Sequence, residues 1–156
     1  MSEINYILGN AVEPIGVDNK IIVHVCNDIG AWGAGFVLAV SKKWPHIKKE
    51  YLSLFKDYKK PILGSVQFVV AEKKIVIANL IGQEGIGRKN SPIRYVAIER
   101  GLEQIKELAE KYNTSIHMPR IGCGLAGGKW EEIEAIIERV FEKSKVKIIV
   151  YDLSTE

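Results

Sequence analysis

An α/β fold, with one sheet covered by helices on both faces, is what this sequence predicts. Three observations predict it. Six short apolar runs have the length of strands, segments of helical period lie between them, and the runs Ile21-Ile22-Val23 and Ile148-Ile149-Val150 are apolar without alternation, as strands buried on both sides are. The chain has 156 residues, 47% of them hydrophobic, and reads as one domain over residues 1–156, with no linker, internal repeat or low-complexity stretch. A chain of this size can build a core without disulfides or metal.

The strands expected in order are Ile4–Leu8, 20–26, 65–70, 74–80, Ser115–Met118 and 146–151. A helix is expected over 33–44. Pro45 then opens a second helix, which runs to about residue 55 and ends before the turn at Lys60-Pro61. Over 92–112, Ile98, Leu102, Ile105, Leu108 and Tyr112 keep a 3.6-residue period, with Ser91 as the expected cap and Pro92 in the first turn. Over 129–143, Trp130, Ile133, Ile136, Ile137, Val140 and Phe141 share one face.

Composition excludes several classes. The two cysteines, Cys26 and Cys123, are too few for a disulfide framework, and no CxxC or histidine cluster suggests zinc, so neither metal nor cofactor is expected. Nowhere do eighteen uncharged apolar residues follow one another, so a soluble, cytoplasmic monomer is expected. The net charge is only +3, and lysine pairs such as Lys42-Lys43, Lys48-Lys49, Lys59-Lys60 and Lys73-Lys74 read as solvated surface rather than a nucleic-acid groove.

The informative residues lie where strands give way to helices. The strand 20–26 runs into Asn27-Asp28-Ile29-Gly30-Ala31-Trp32-Gly33-Ala34-Gly35, and Ser115–Met118 runs into Pro119-Arg120-Ile121-Gly122-Cys123-Gly124-Leu125-Ala126-Gly127-Gly128. Unpaired backbone N–H groups collect at such helix starts, and glycine lets an anion approach them closely. A charge-assisted hydrogen bond is worth about 1.5–3 kcal/mol. Three or four of them, with an apolar pocket for a base, reach the roughly −8 kcal/mol of a micromolar ligand without any lysine.

A P-loop is excluded, because no Gly-Lys-Ser/Thr follows either cluster. Gly122 to Gly127 matches GxGxxG, and Asp152 follows the next strand as a ribose-binding acid would, so a Rossmann-like NAD binder is an alternative. It is weakened because too little chain follows residue 115 to complete a mononucleotide-binding half.

His24-Val25-Cys26-Asn27-Asp28-Ile29-Gly30-Ala31-Trp32-Gly33-Ala34-Gly35 and, about ninety residues on, Met118-Pro119-Arg120-Ile121-Gly122-Cys123-Gly124-Leu125 resemble the macrodomain family. The closest resemblance is to its branch of terminal ADP-ribose protein glycohydrolases and yeast-type ADP-ribose-1''-phosphate phosphatases. It implies a mixed six-stranded sheet and ADP-ribose across the strand ends. Gly9-Asn10-Ala11 would meet the adenine, and Asp152-Leu153 would close that end. Asn10 replaces the family's aspartate, leaving a neutral and weaker acceptor. Trp32, Gly33, Ala34 and Gly35 would approach the distal ribose, Asn27 would bond a ribose hydroxyl or cap its own loop, and Arg120 to Gly127 would wrap the diphosphate.

The resemblance implies a hydrolase of ADP-ribose derivatives, acting on ADP-ribosylated protein or nucleic acid or on ADP-ribose-1''-phosphate; the alternative is a reader that only binds. The glycohydrolase's lysine is not matched, since Gln83 or Glu84 stands there, and Ala126 replaces its acid. Lys89 lies in a loop, 82–91, that can act as a lid. His24, matched in the phosphatase branch, and Asp28 are the catalytic candidates: one as general acid or base, the other to orient water. Their plain alternatives are a buried strand histidine and a turn-making aspartate. The substrate can also activate water with its own oxygen. Cys123 reads as a small residue in a tight loop, His46 as a surface residue and His117 as a strand residue.

Overall fold

The computed structural model describes residues 3–87 and 91–153, which form one six-stranded sheet and four α-helices. The strands are β1 (Ile4–Leu8), β2 (Lys20–Asn27), β3 (Val66–Glu72), β4 (Ile75–Gln83), β5 (Ser115–Met118) and β6 (Ile148–Asp152); the helices are α1 (Phe36–Lys43), α2 (Pro45–Leu52), α3 (Tyr95–Tyr112) and α4 (Trp130–Val140). The order is β1-β6-β5-β2-β4-β3, parallel throughout except for the β3–β4 hairpin, so the sheet is mixed. No helix among the described residues is long and apolar enough to cross a membrane.

Alternation along β2 divides the core. Ile21 and Val23 join Leu80, Ile98, Leu102, Ile116 and Ile133 beneath α3 and α4, while Ile22 and Cys26 join Val37, Val40, Ile47 and Tyr51 beneath α1 and α2. Each such aliphatic side chain contributes about 1.5–3 kcal/mol on burial, which is why both faces of the strand are apolar. Gly101 sets how near α3 sits to the sheet: a Cβ there would lie 2.3 Å from Leu80 Cγ.

Several boundaries differ from expectation. Helix α1 begins at Phe36 rather than 33, because Gly35 holds φ at 83°, a left-handed value that precedes a helix but does not extend one. Ser91 does not cap α3. The helix begins three residues after Pro92, since Ile93 forms a bridge with Gln83 and Arg94 N donates to Gly82 O at 2.9 Å. The second helix stops at Leu52 and gives way to a 3-10 segment, Ser53–Tyr58, that turns at Lys56 and Asp57. Helix α4 spans Trp130–Val140 rather than 129–143, and β3, β4 and β6 continue to Glu72, Gln83 and Asp152.

Candidate functional site

Neighbouring strands β2 and β5 send the chain to opposite faces, β2 to α1 and β5 to α4. Where connections part in this way, the carboxyl ends of parallel strands leave a crevice that neither helix layer fills. Two adjoining lobes occupy it. The outer, about 350 Å³, is lined by His24, Phe36 and the run from Pro119 to Gly124; the more enclosed inner lobe, about 240 Å³, is lined by Cys26, Asn27, Ala31, Gly33, Ile86 and Gly87. Val25, Ala34, Val37 and Gln83 face both. A larger hollow of about 480 Å³ lies at the opposite strand ends among Asp18, Lys143, Lys145 and Lys147, but no glycine lines it.

The glycines of the two loops are of two sorts. A Cβ built on Gly33, Gly35 or Gly124 would meet nothing within 4 Å, so these stretches of backbone border open space. At Gly122 it would come 2.7 Å from Ile133 Cδ1, and at Gly128 2.3 Å from the carbonyl oxygen of Gly122; these two permit packing. Gly127, with φ at 79°, closes the second loop by donating to Gly124 O at 3.1 Å. No side chain caps α1, so the amides that any helix leaves unpaired at its start open toward the lobes at Gly35.

The first loop is held from within. Asn27 Oδ1 accepts from Ile29 N and Ala31 N, each at 3.0 Å, and its Nδ2 donates to Ala31 O at 2.7 Å. The Tyr51 hydroxyl donates to the Asn27 main-chain oxygen at 2.7 Å. Asp28, 2% exposed, accepts from Gly85 N at 2.9 Å and pairs with Lys60 Nζ at 3.2 Å, and it lines neither lobe. Trp32 is buried against Tyr51 and His24, backing the loop instead of walling the crevice.

His24 is 2% exposed, and its Nε2 lies 2.5 Å from Asn79 Oδ1. Asn79 donates its own amide to Gln67 Oε1 at 3.0 Å, so its oxygen accepts and His24 Nε2 carries the proton. Burial pushes the His24 pKa down to about 4, opposed by the Asn79 bond, so the ring is neutral near pH 7. Burial also raises the pKa of Cys123, with Arg120 pulling the other way, which keeps the thiol protonated. His117 is fully buried in β5 between Ser115 Oγ and the Tyr151 hydroxyl, whereas His46 is exposed and bonds Val70 O.

Arg120 is committed elsewhere. Its guanidinium makes two bonds to Asp152, of 2.6 and 2.9 Å, and stacks over the rings of Tyr6 and Trp130 at 5.1 and 5.3 Å. This pair joins the outer lobe to the β1–β6 end, where Gly9 N donates to Asp152 O at 2.9 Å and Asn10 Oδ1 accepts from Val12 N at 3.1 Å. Ala11 is buried there, and Leu153 is exposed. Ile121 and Ala126 are buried beneath the second loop; the side chain of Leu125 and all of Lys89 lie outside the described residues.

The Macro domain family matches residues 23–137. The chain belongs to the macrodomain family. A solved structure of a protein from Bacteroides thetaiotaomicron is 48% identical, with coverage of 97% of this macrodomain and 98% of that chain and a TM-score of 0.92. An ADP-ribose glycohydrolase of Bos taurus is 31% identical over 97% of this chain and 93% of its own. An ADP-ribose 1''-phosphate phosphatase of Saccharomyces cerevisiae is 25% identical over 88% of this chain and 93% of its own.

Several lining residues of this macrodomain escaped sequence reasoning: Val25, Phe36, Val37, Pro119 and, as a lobe residue, Gln83, whereas Ile86 and Gly87 belong to the loop 82–91 expected as a lid. Gln83 faces both lobes and donates to Gly85 O at 3.1 Å, while Glu84 turns outward to Arg94. The available signal was Leu80-Ile81-Gly82 following Asn79, an apolar stretch that extends β4 and carries Gln83 to the strand end beside Asn27.

Proposed function

We propose that this macrodomain binds ADP-ribose in the crevice and hydrolyses ADP-ribose derivatives, freeing ADP-ribose from a modified macromolecule or phosphate from ADP-ribose 1''-phosphate. The observation that carries this is the open backbone of Gly33, Gly35 and Gly124, which faces one crevice from two neighbouring strand ends. The diphosphate lies between the amides at Gly33–Gly35 and Gly122–Gly124. The distal ribose enters the inner lobe beside Asn27 and Ala34, and the adenine lies toward Gly9-Asn10-Ala11 with Asp152 and Leu153. Relatives named as a glycohydrolase and a phosphatase support the hydrolase class. The unit works as one domain, as a monomer in the cytoplasm.

His24 and Asp28 hold the first loop and its surroundings. Both are buried and bonded, one to Asn79 and the other to Gly85 and Lys60. Water is therefore activated by the substrate: held between diphosphate and distal ribose, it gives its proton to a diphosphate oxygen as its own oxygen bonds to the anomeric carbon of the distal ribose, the bond from that carbon to the attached macromolecule or phosphate breaks, and the departing group takes up the proton. The same two buried residues favour a second reading, a reader without turnover. The deciding experiment incubates the protein and its His24→Ala and Asp28→Ala variants with an ADP-ribosylated protein, an ADP-ribosylated nucleobase and ADP-ribose 1''-phosphate. Release of ADP-ribose supports hydrolysis, and tight ADP-ribose binding with every substrate intact leaves the reader.

A further inference from the structure

One wall of the inner lobe is fixed by a single glycine. Strand β4 ends at Gln83, and the chain after it supplies Ile86 and Gly87 to the lining. This stretch has little packing of its own. A Cβ on Gly85 or Gly87 would meet nothing within 4 Å, and Ile86 is 61% exposed. What holds it is Gly85, whose N–H donates to Asp28 Oδ1 at 2.9 Å and whose carbonyl accepts from Gln83 Nε2 at 3.1 Å. Asp28 is itself anchored: it is buried, its own N–H donates to Gln83 O at 3.0 Å, and its second oxygen pairs with Lys60 Nζ. An aspartate that merely makes a turn bonds an amide about two residues on, whereas this one reaches an amide 57 residues away.

We propose that Asp28 is a positioning residue for the distal ribose: by holding the Gly85 amide it keeps Ile86 and Gly87 at the inner lobe, and so sets how much more tightly ADP-ribose binds than ADP. This rests on the reading of the inner lobe as the ribose site. Gln83 secures the other side of Gly85, but it faces both lobes and meets the ligand directly, whereas Asp28 lines neither and acts only through Gly85. The amide needs an acceptor oxygen there and not a charge. The ion pair with Lys60 is 59% exposed on the lysine side, and such pairs contribute little. A neutral amide oxygen in the place of Asp28 Oδ1 takes the same bond from Gly85.

The test titrates the full chain with ADP-ribose and with ADP, which lacks the distal ribose, and follows exchange of the Gly85 amide hydrogen. The parent binds ADP-ribose more tightly than ADP. Asp28→Ala weakens ADP-ribose about tenfold, the loss of one charge-assisted bond, and leaves ADP within about twofold. In the same variant the Gly85 amide exchanges faster. Asp28→Asn, which keeps an acceptor oxygen, restores both the preference for ADP-ribose and the protection of Gly85, and Lys60→Met shifts the preference less than about threefold. Should Asp28→Ala fail to fold, Ile86→Ser removes the wall itself at an exposed position, and it too weakens ADP-ribose and spares ADP. Equal affinity of the parent for the two ligands removes the ribose reading of the inner lobe, and this proposal with it. A parent that prefers ADP-ribose, combined with an unaltered preference in Asp28→Ala or Ile86→Ser, an equal loss of both ligands, or no rescue by Asp28→Asn, overturns the role of Asp28 alone.

Discussion

Gly33→Val places a branched side chain in the inner lobe while asking nothing of the backbone. Gly33 is absent from the left-handed glycines, and a Cβ on it meets nothing within 4 Å. The fold should therefore tolerate the change, and the stiffer unfolded chain adds about 0.4–1 kcal/mol of stability. Binding should not tolerate it. The lobe holds about 240 Å³, and an isopropyl group within it keeps a ligand off the amides at the start of α1. Losing one or two charge-assisted bonds of about 1.5–3 kcal/mol each costs roughly 2–5 kcal/mol, or about thirtyfold to several thousandfold in Kd. Calorimetric titration with ADP-ribose, paired with thermal unfolding, reads both quantities. A Kd within about threefold of the parent at an unchanged Tm would refute the assignment of the first loop to the ligand. Gly35 is a poorer site for this test, because its φ of 83° strains any substituted residue.

Other substitutions probe other contacts. Gly101→Ala drives a methyl group into Leu80 and should cost about 1–3 kcal/mol in urea denaturation, with α3 pushed from the sheet. Asn27→Ala leaves the amides of Ile29 and Ala31 without their acceptor, and at about 1–3 kcal/mol per buried group it should speed hydrogen exchange at both and weaken ADP-ribose binding. His24 and His117 both have folded pKa values pushed by burial to about 4, from 6.5. The unfolded chain thus binds protons first, and stability present above pH 6.5 is lost as pH falls toward 4, by roughly 2–3 kcal/mol per imidazole at pH 4.5. Urea denaturation of His117→Gln should show a shallower fall between pH 7 and 4.5 than the parent; an identical fall would show that this ring does not titrate as described. Arg120→Ala should leave the salt dependence of ADP-ribose binding unchanged, since its guanidinium is bonded to Asp152 and not spent on phosphate; a flattened salt dependence would show that it contacts the diphosphate.

Much of the fold is legible in the residues themselves. Continuous apolar runs mark β2 and β6 as covered on both faces, and the strong helical period of 92–112 and 129–143 finds α3 and α4 to within a few residues. The two glycine loops are equally visible. Which glycine does what is not, because Gly122 and Gly124 differ only in what approaches them: Ile133 and Ile93 at one, open space at the other. His24 likewise stands at a strand end in the sequence, but its neutral state comes from burial and from Asn79 on the neighbouring strand, a partner that only sheet order supplies. Ser91 and Pro92 look like a helix start. The pairing of Gln83 with Ile93 outweighs that local preference and delays the helix.

A crystal structure with bound ADP-ribose tests the central claim most directly. The pyrophosphate oxygens should lie within hydrogen-bonding distance of the main-chain N–H groups around Gly33–Gly35 and Gly122–Gly124, with no lysine or arginine side chain among their partners. A pyrophosphate held by basic side chains, or seated in the hollow beside Lys143 and Lys147, would contradict it.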